Sequence, residues 1–272
     1  MMPVKCCILV LFLSVALHTY ADETDLFGCN NTSISVGLTN SGVMNYNGQG
    51  IDPDLLQTLS ELTHCTFKFV PVTRQYAFDL MEKGIIDLVP SVTREPHREA
   101  FAWFIPYYEA KFLLLTNANK LPNIKNLEQL KKIAGVKLAR ATGSGYGTYL
   151  NYRFSEMEAL GMVTFYANYE DTIKALLKGE VNAAFINPLL YQHLPPKGEE
   201  PFPLKLLDVS PANATLVSLM LGKHRFSSAQ IANWLRLIET LGLNGELQKI
   251  MEQHVSADIA TSMLAGQFHA RH

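Results

Sequence analysis

Strand-like and helix-like segments alternate along this chain, and they do so in two separate rounds. In the first round Ile34–Leu38 reads as a strand. A helical stripe of Leu55, Leu56, Leu59 and Leu62 follows, with Asp52 suited to an N-cap and Pro53 to the first helical position. Phe67–Val70 reads as a second strand and Ile85–Val89 as a third. Between them Ala77, Leu80 and Met81 form a second stripe, closed by Gly84. A strand–helix–strand–helix–strand order favours a parallel sheet, because parallel neighbours need a crossover long enough to hold a helix.

The second round lies in the middle of the chain. Asn126 is placed to cap a helix bearing Leu127 and Leu130, and Val136–Ala139 reads as a strand. Gly143–Gly147 is a glycine-rich turn, with a helix expected after it through Leu160. Val163–Tyr166 and Val181–Ile186 read as strands. Between them lies a helix bearing Ile173, Leu176 and Leu177, capped by Asn168 and closed by Gly179; Pro188 then starts another helix. Two rounds imply two lobes. Two further apolar strands, Lys111–Thr116 and Leu216–Leu221, fall after the two rounds and are expected to be the crossings between lobes. From Ser227 onward Ile231, Trp234, Leu235, Ile238 and Leu241, then Leu247, Ile250 and Met251, form helical stripes that can return to the first lobe. Pro195–Pro203 reads as a loop, and Ala265–His272 as a loosely ordered end.

The N-terminal segment belongs to a different kind of argument. Lys5 precedes an apolar run from Ile8 to Leu17, and Thr19-Tyr20-Ala21 precedes Asp22. That pattern reads as a secretory signal peptide over residues 1–21, because the run is too short to span a bilayer. Its removal leaves 251 residues, with 22 basic against 25 acidic side chains. Such a balance provides no basic field for nucleic acid. Cys29 and Cys65 remain, each just ahead of a strand. An exported chain can keep a disulfide, and adjacent parallel strands would place both cysteines at one end of a sheet.

Five segments, in order, then carry a resemblance. They are "GIDPDLLQTLSE" at Gly50–Glu61, "LMEKGIIDLVPSVTREPHREAFAWFIPYY" at Leu80–Tyr108 and "NLEQLKKIAGVKLARATGSGYG" at Asn126–Gly147. "DTIKALLKGEVNAAFINPLLY" at Asp171–Tyr191 and the stretch from Leu216 to Ile250 complete the set. Together they resemble the periplasmic solute-binding proteins that serve polar amino acids in ABC transport, the family 3 extracellular solute-binding proteins. The resemblance implies an α/β, two-lobed periplasmic-binding-protein fold of type II, each lobe a mainly parallel sheet flanked by helices. Lobe 1 would comprise residues 22–112 and 216–272, and lobe 2 residues 113–215. It also implies a monomer that closes about a hinge on a small solute, without cofactor or metal, and that delivers the solute to a membrane permease.

The resemblance also implies site residues. Arg98 matches the arginine that clamps a ligand carboxylate, for which a planar guanidinium fork is suited. The matching segment is one residue shorter than the commoner pattern and holds Glu95 in a threonine slot, so Arg94 competes for the role. Gly143 and Ser144 match an anion-holding turn ahead of a helix, with Tyr146 beside them. Tyr46 matches an aromatic wall, Arg74 a second polar contact, and Ser91 and Thr93 the cleft end of the third strand. Asn187 stands where amino-acid binders often have an aspartate for the ligand ammonium. It serves equally well as the N-cap before Pro188. Tyr107 reads as packing at the hinge.

Three functions compete: a carrier for ABC-type uptake, a receptor presenting solute to a sensor, and a cleft enzyme such as a dehydratase. An enzyme needs a perturbed acid or base in the cleft. Glu95, Glu109, His97 and Asp87 are the candidates, with Asp87 read as structural and Glu95 and His97 as loop-exposed. No metal-ligand spacing or nucleophile motif accompanies them.

Overall fold

The computed structural model describes residues 25–30, 32–187, 189, 201–210 and 214–268. Its first five strands are β1 (Ile34–Leu38), β2 (Phe67–Pro71), β3 (Leu88–Thr93), β4 (Ala102–Ala110) and β5 (Leu113–Asn117). The next five are β6 (Leu138–Ala141), β7 (Val163–Tyr166), β8 (Ala183–Ile186), β9 (Leu204–Leu207) and β10 (Thr215–Gly222). The helices are α1 (Ile51–Thr63), α2 (Arg74–Glu82), α3 (Leu127–Lys131), α4 (Thr148–Ala159), α5 (Tyr169–Lys178), α6 (Ser228–Leu243), α7 (Glu246–Glu252) and α8 (Ala257–Phe268).

Two five-stranded sheets result, in the orders β2-β1-β3-β10-β4 and β7-β6-β8-β5-β9. β1 runs parallel to β2 and β3, whereas β10 runs antiparallel to β3 and β4. In the second sheet β6 runs parallel to β7 and β8, whereas β5 runs antiparallel to β8 and β9. The sheets are therefore mixed rather than mainly parallel. Strands joined through crossover helices stay parallel; β5 and β10 arrive from the opposite sheet and run against them.

That traffic also corrects the expected crossings. Lys111–Thr116 and Leu216–Leu221 are mostly strands of the two sheets, β5 and β10. The chain crosses at 111–112 and again between β9 and β10, where 211–213 lie outside the described residues. Lys111 Nζ lies 2.5 Å from Asp208 Oδ2, tying one crossing to the other.

Several element starts differ from the sequence pattern. β3 begins at Leu88, not Ile85, because the amides of Ile85 and Ile86 donate to the Leu80 carbonyl and finish α2. β6 and β8 likewise start two residues later than their apolar runs. α1 begins at Ile51 behind Gly50, so Asp52 is a first-turn residue and not the cap. Pro53 is tolerated there because the first amides of a helix lack intrahelical partners. Leu55, Leu56 and Leu59 are buried, while Leu62 is exposed. Asn126 and Asn168 do cap α3 and α5, and Gly179 closes α5 in the left-handed region.

The tail returns to the first sheet. Ser227 and Gln230 cap α6 reciprocally. The fully buried Trp234 donates its indole N–H to the Phe27 carbonyl at 3.0 Å. α8 packs beside β4 and continues to Phe268, so the expected loose end from Ala265 is helical that far. A disulfide joins Cys29 to Cys65, with Cα atoms 5.5 Å apart. The register Ile34↔Phe67 places both cysteines at one end of the β1–β2 pair, as expected. The expected signal peptide, nearly all of the helix expected from Pro188 and most of the expected Pro195–Pro203 loop lie outside the described residues.

Candidate functional site

Chain direction after β3 separates the two arginines. A single 3-10 turn over Pro96–Ala100, started by Pro96, folds Arg98 inward. Arg98 is 4% exposed, whereas Arg94 faces solvent and pairs with Glu99 at 2.8 Å. The Arg98 guanidinium lies over the Phe78 ring, 4.0 Å from its centre. Nη1 donates to the Thr93 carbonyl at 3.3 Å and Nη2 to the Gly143 carbonyl at 2.9 Å. Nε is buried without a partner. Burial pulls the Arg98 pKa down to about 10, with Glu95 opposing the shift, so the group stays cationic at neutral pH.

Gly143 lies in the turn between β6 and α4, with φ of 76°. The Ser144 amide donates to the Ala141 carbonyl at 3.1 Å, and α4 starts only at Thr148. The turn therefore presents a carbonyl to Arg98, and the expected helix N-terminus is not at Gly143–Ser144. The Ser144 hydroxyl is 4% exposed as a residue and has no hydrogen-bond partner. A side chain at Gly145 would run into Thr93 Oγ1 and Glu95 Oε1, which explains a glycine at that approach. Asn151 on α4 donates from Nδ2 to Glu95 Oε1 at 2.7 Å. Glu95 is thus buried, not loop-exposed as expected. The contacts of Arg98 with Gly143 and of Asn151 with Glu95 join the lobes across the cleft.

Arg74 enters from the first residue of α2. It donates to the Ser91 carbonyl at 2.8 Å, Thr39 Oγ1 at 3.1 Å and Ser41 Oγ at 2.8 Å. The Tyr169 ring, carried by the second lobe at the start of α5, stands 6.0 Å from its guanidinium carbon. Ser91 itself sits at φ 57° and donates its hydroxyl to Asp52 Oδ2 at 2.8 Å. Its amide donates to the Tyr107 hydroxyl at 3.1 Å, and that hydroxyl donates to Asp52 Oδ1. Burial pushes the Asp52 carboxyl up to about 6, although Tyr107 and Ser91 pull the other way. This sealed network forms the wall behind Arg74.

Arg74, Arg98, Ser91, Thr93, Tyr169 and Asn187 meet around a cavity of about 30 Å³. A second, larger cavity adjoins it, with Arg74 and Tyr169 lining both and Ser144 lining the larger. Asn187 is 5% exposed and lines the small cavity, and its Oδ1 accepts from the Leu189 amide at 3.1 Å, as the expected cap would. Tyr46 is 49% exposed and lines neither cavity; Met44 and Tyr169 stand where its wall was expected. Tyr146 packs against Phe112 and Phe154 in the second lobe's core and reaches neither cavity. Tyr107 packs, as expected. Asp87 accepts from the Ser35 amide and hydroxyl, both at 2.8 Å, which makes it structural. His97 is exposed, and Glu109 borders Gly266 on α8. Asp52, Thr39, Ser41, Asn151 and Tyr169 were missed as site residues. Tyr169 alone left a signal, its place directly after the capping Asn168.

The bacterial extracellular solute-binding protein, family 3, model matches residues 40–257. The chain belongs to that family. Solved structures agree on the fold of this solute-binding protein. An amino acid ABC transporter substrate-binding protein of Streptococcus pneumoniae, bound to L-arginine, is 19% identical with a TM-score of 0.65, covering 84% of this chain and 96% of that one. A histidine kinase sensor domain similar to periplasmic binding proteins is 15% identical with a TM-score of 0.65, covering 82% and 96%. An ancestral amino-acid-binding protein, a precursor of cyclohexadienyl dehydratase, is 19% identical with a TM-score of 0.62, covering 82% and 94%. No curated protein matches the sequence. The family is one of extracellular proteins, and among the described residues no helix is long and apolar enough to cross a membrane. Among the same residues no group of three or more His, Cys, Asp or Glu is placed to hold a metal.

Proposed function

We propose that this solute-binding protein captures a small carboxylate-bearing solute between lobe 1 (22–112 with 216–272) and lobe 2 (113–215), for ABC-type uptake through a membrane permease. The observation that carries the reading is Arg98. It is a buried cation whose hydrogen-bond partners are neutral carbonyls and whose Nε has none. A carboxylate offers that guanidinium two charge-assisted bonds, which a buried cation gains most from. Arg74 lies alongside and strengthens the positive field, and Ser144 adds a hydroxyl without a partner. The signal-peptide pattern supports export to the periplasm.

The likeness to a histidine kinase sensor domain supports a second reading, in which the same capture serves a sensor. The dehydratase-precursor likeness gives the enzyme reading less support. Among the described residues the one carboxyl driven far upward in pKa, Asp52, is sealed behind Ser91 and Tyr107 and borders neither cavity. A general acid has to reach its substrate.

The test is to incubate mature protein with a small-molecule extract, desalt it, denature it and identify what is released by mass spectrometry. A carboxylic acid near one per chain from wild type, absent from Arg98→Ala, is the expected result. Equal release from both proteins would move the solute away from Arg98.

A further inference from the structure

The larger cavity indicates how long the solute is. Beside Arg98 the free volume is about 30 Å³. The adjoining cavity is about 640 Å³, well inside the ~300–1,000 Å³ span of small-molecule sites. It opens at the ends of β1, β2, β6 and β7, so both lobes line it. Arg74 and Tyr169 border both spaces, so a molecule anchored beside Arg98 that extends into the larger one runs alongside these two side chains.

The chemistry of the walls is one-sided. Leu38, Phe69, Pro71 and Val72 line it from the first lobe, and Ala141 and Ala167 from the second. Several polar groups on the same walls are already engaged. Asn45 bonds the Thr39 carbonyl and the Gly48 amide, Asn168 caps α5, and Thr142 donates to the Tyr166 carbonyl. Glu170 is paired with Lys174 at 2.6 Å. The Ser144 hydroxyl is the buried polar group on these walls that lacks a partner. Phe69 is 44% exposed although it lies in a strand, and it faces this space.

Resting on the carboxylate reading above, we infer that the solute is bipartite: a carboxylate head at Arg98 and Arg74, and an uncharged, largely apolar arm such as an aryl group that passes Tyr169 into the larger cavity toward Phe69. An arm ending in a cation gains little there, because the acidic side chain on the wall already has its own lysine.

Calorimetry with three carboxylates of graded arm tests this. Propionate has no arm, 3-phenylpropionate has an aryl arm, and 6-aminohexanoate has an arm ending in an ammonium. The expected order places 3-phenylpropionate roughly 10- to 100-fold tighter than propionate, the range expected for burying one ring. It should also exceed 6-aminohexanoate by at least about tenfold. Ala167→Trp fills the larger cavity from an exposed loop position and should remove the aryl gain, bringing 3-phenylpropionate to within about twofold of propionate measured on the same variant. Arg98→Ala should weaken all three. Equal affinity for propionate and 3-phenylpropionate, both lost in Arg98→Ala, would overturn the arm and leave the carboxylate reading standing. A tighter 6-aminohexanoate would overturn the apolar character of the arm. Absence of Arg98-dependent binding for all three would sink both readings together.

Discussion

Asp52→Asn removes a titrating carboxyl from a site sealed on every side. In wild type the carboxyl is pushed from an ordinary 3.8 to about 6, because burial outweighs the hydrogen bonds from Tyr107 and Ser91 and the field of Arg74. The folded-state value lies above the unfolded one. Between these values the fold holds a proton that the unfolded chain has released. Wild-type stability from this group is therefore greatest at acid pH and is lost as pH rises through about 6. A shift of that size is worth about 3 kcal/mol at ~1.4 kcal/mol per unit, of which about 2–3 kcal/mol falls between pH 4 and 7.5. Asparagine keeps the shape: its oxygen accepts from Tyr107 and its amide donates to Ser91 Oγ. The assay is guanidinium unfolding of both proteins at several pH values across that range. Other carboxylates cancel in the difference between the two proteins. The stability of Asp52→Asn relative to wild type should rise by about 2–3 kcal/mol from pH 4 to 7.5. A difference flat to within about 0.5 kcal/mol would refute the claim that burial governs this carboxyl.

Other expectations concern the site and the frame. Arg98→Ala should cost the solute about 2–5 kcal/mol, or roughly 30- to several-thousand-fold in affinity, and a loss under about threefold by calorimetry would exclude it as the clamp. Asn187→Asp should strengthen binding of an α-amino acid relative to its deaminated analogue. If wild type already binds a common amino acid at micromolar strength and the substitution adds nothing, Asn187 is not a specificity residue. Denatured, unreduced mature protein should show no free thiol, and reduction should lower stability by up to about 4 kcal/mol for a closed loop of this length. Two thiols per chain would contradict the bridge. Solution scattering should give a smaller radius of gyration with solute than without, because capture needs groups from both lobes; an unchanged radius at saturation would indicate a rigid cleft.

What the sequence reveals is mostly what neighbouring residues decide. Asn126 and Asn168 are legible as caps because their partners lie three residues away. Asp52 has the same local look, yet its partners Ser91 and Tyr107 are 39 and 55 residues distant. A carboxylate at a helix start reads as a cap unless the wall it turns toward is known. β5 and β10 were legible as apolar strands, but an apolar run does not say which sheet will take it. Arg98 and Arg94 are separated by the direction of one 3-10 turn, which Pro96 initiates and the hydrophobic Phe78 face completes. Tyr46 and Tyr169 are both aromatics beside turns. Only the approach of the two lobes decides that Tyr169 faces Arg74.

A crystal structure of the protein holding the solute it retains from a small-molecule extract tests the central claim most directly. The account predicts density between the two sheets, with a carboxylate within hydrogen-bond distance of Arg98 and the remainder of the molecule running past Tyr169. Retained solute bound elsewhere on the chain, with no contact to Arg98 or Arg74, would contradict it.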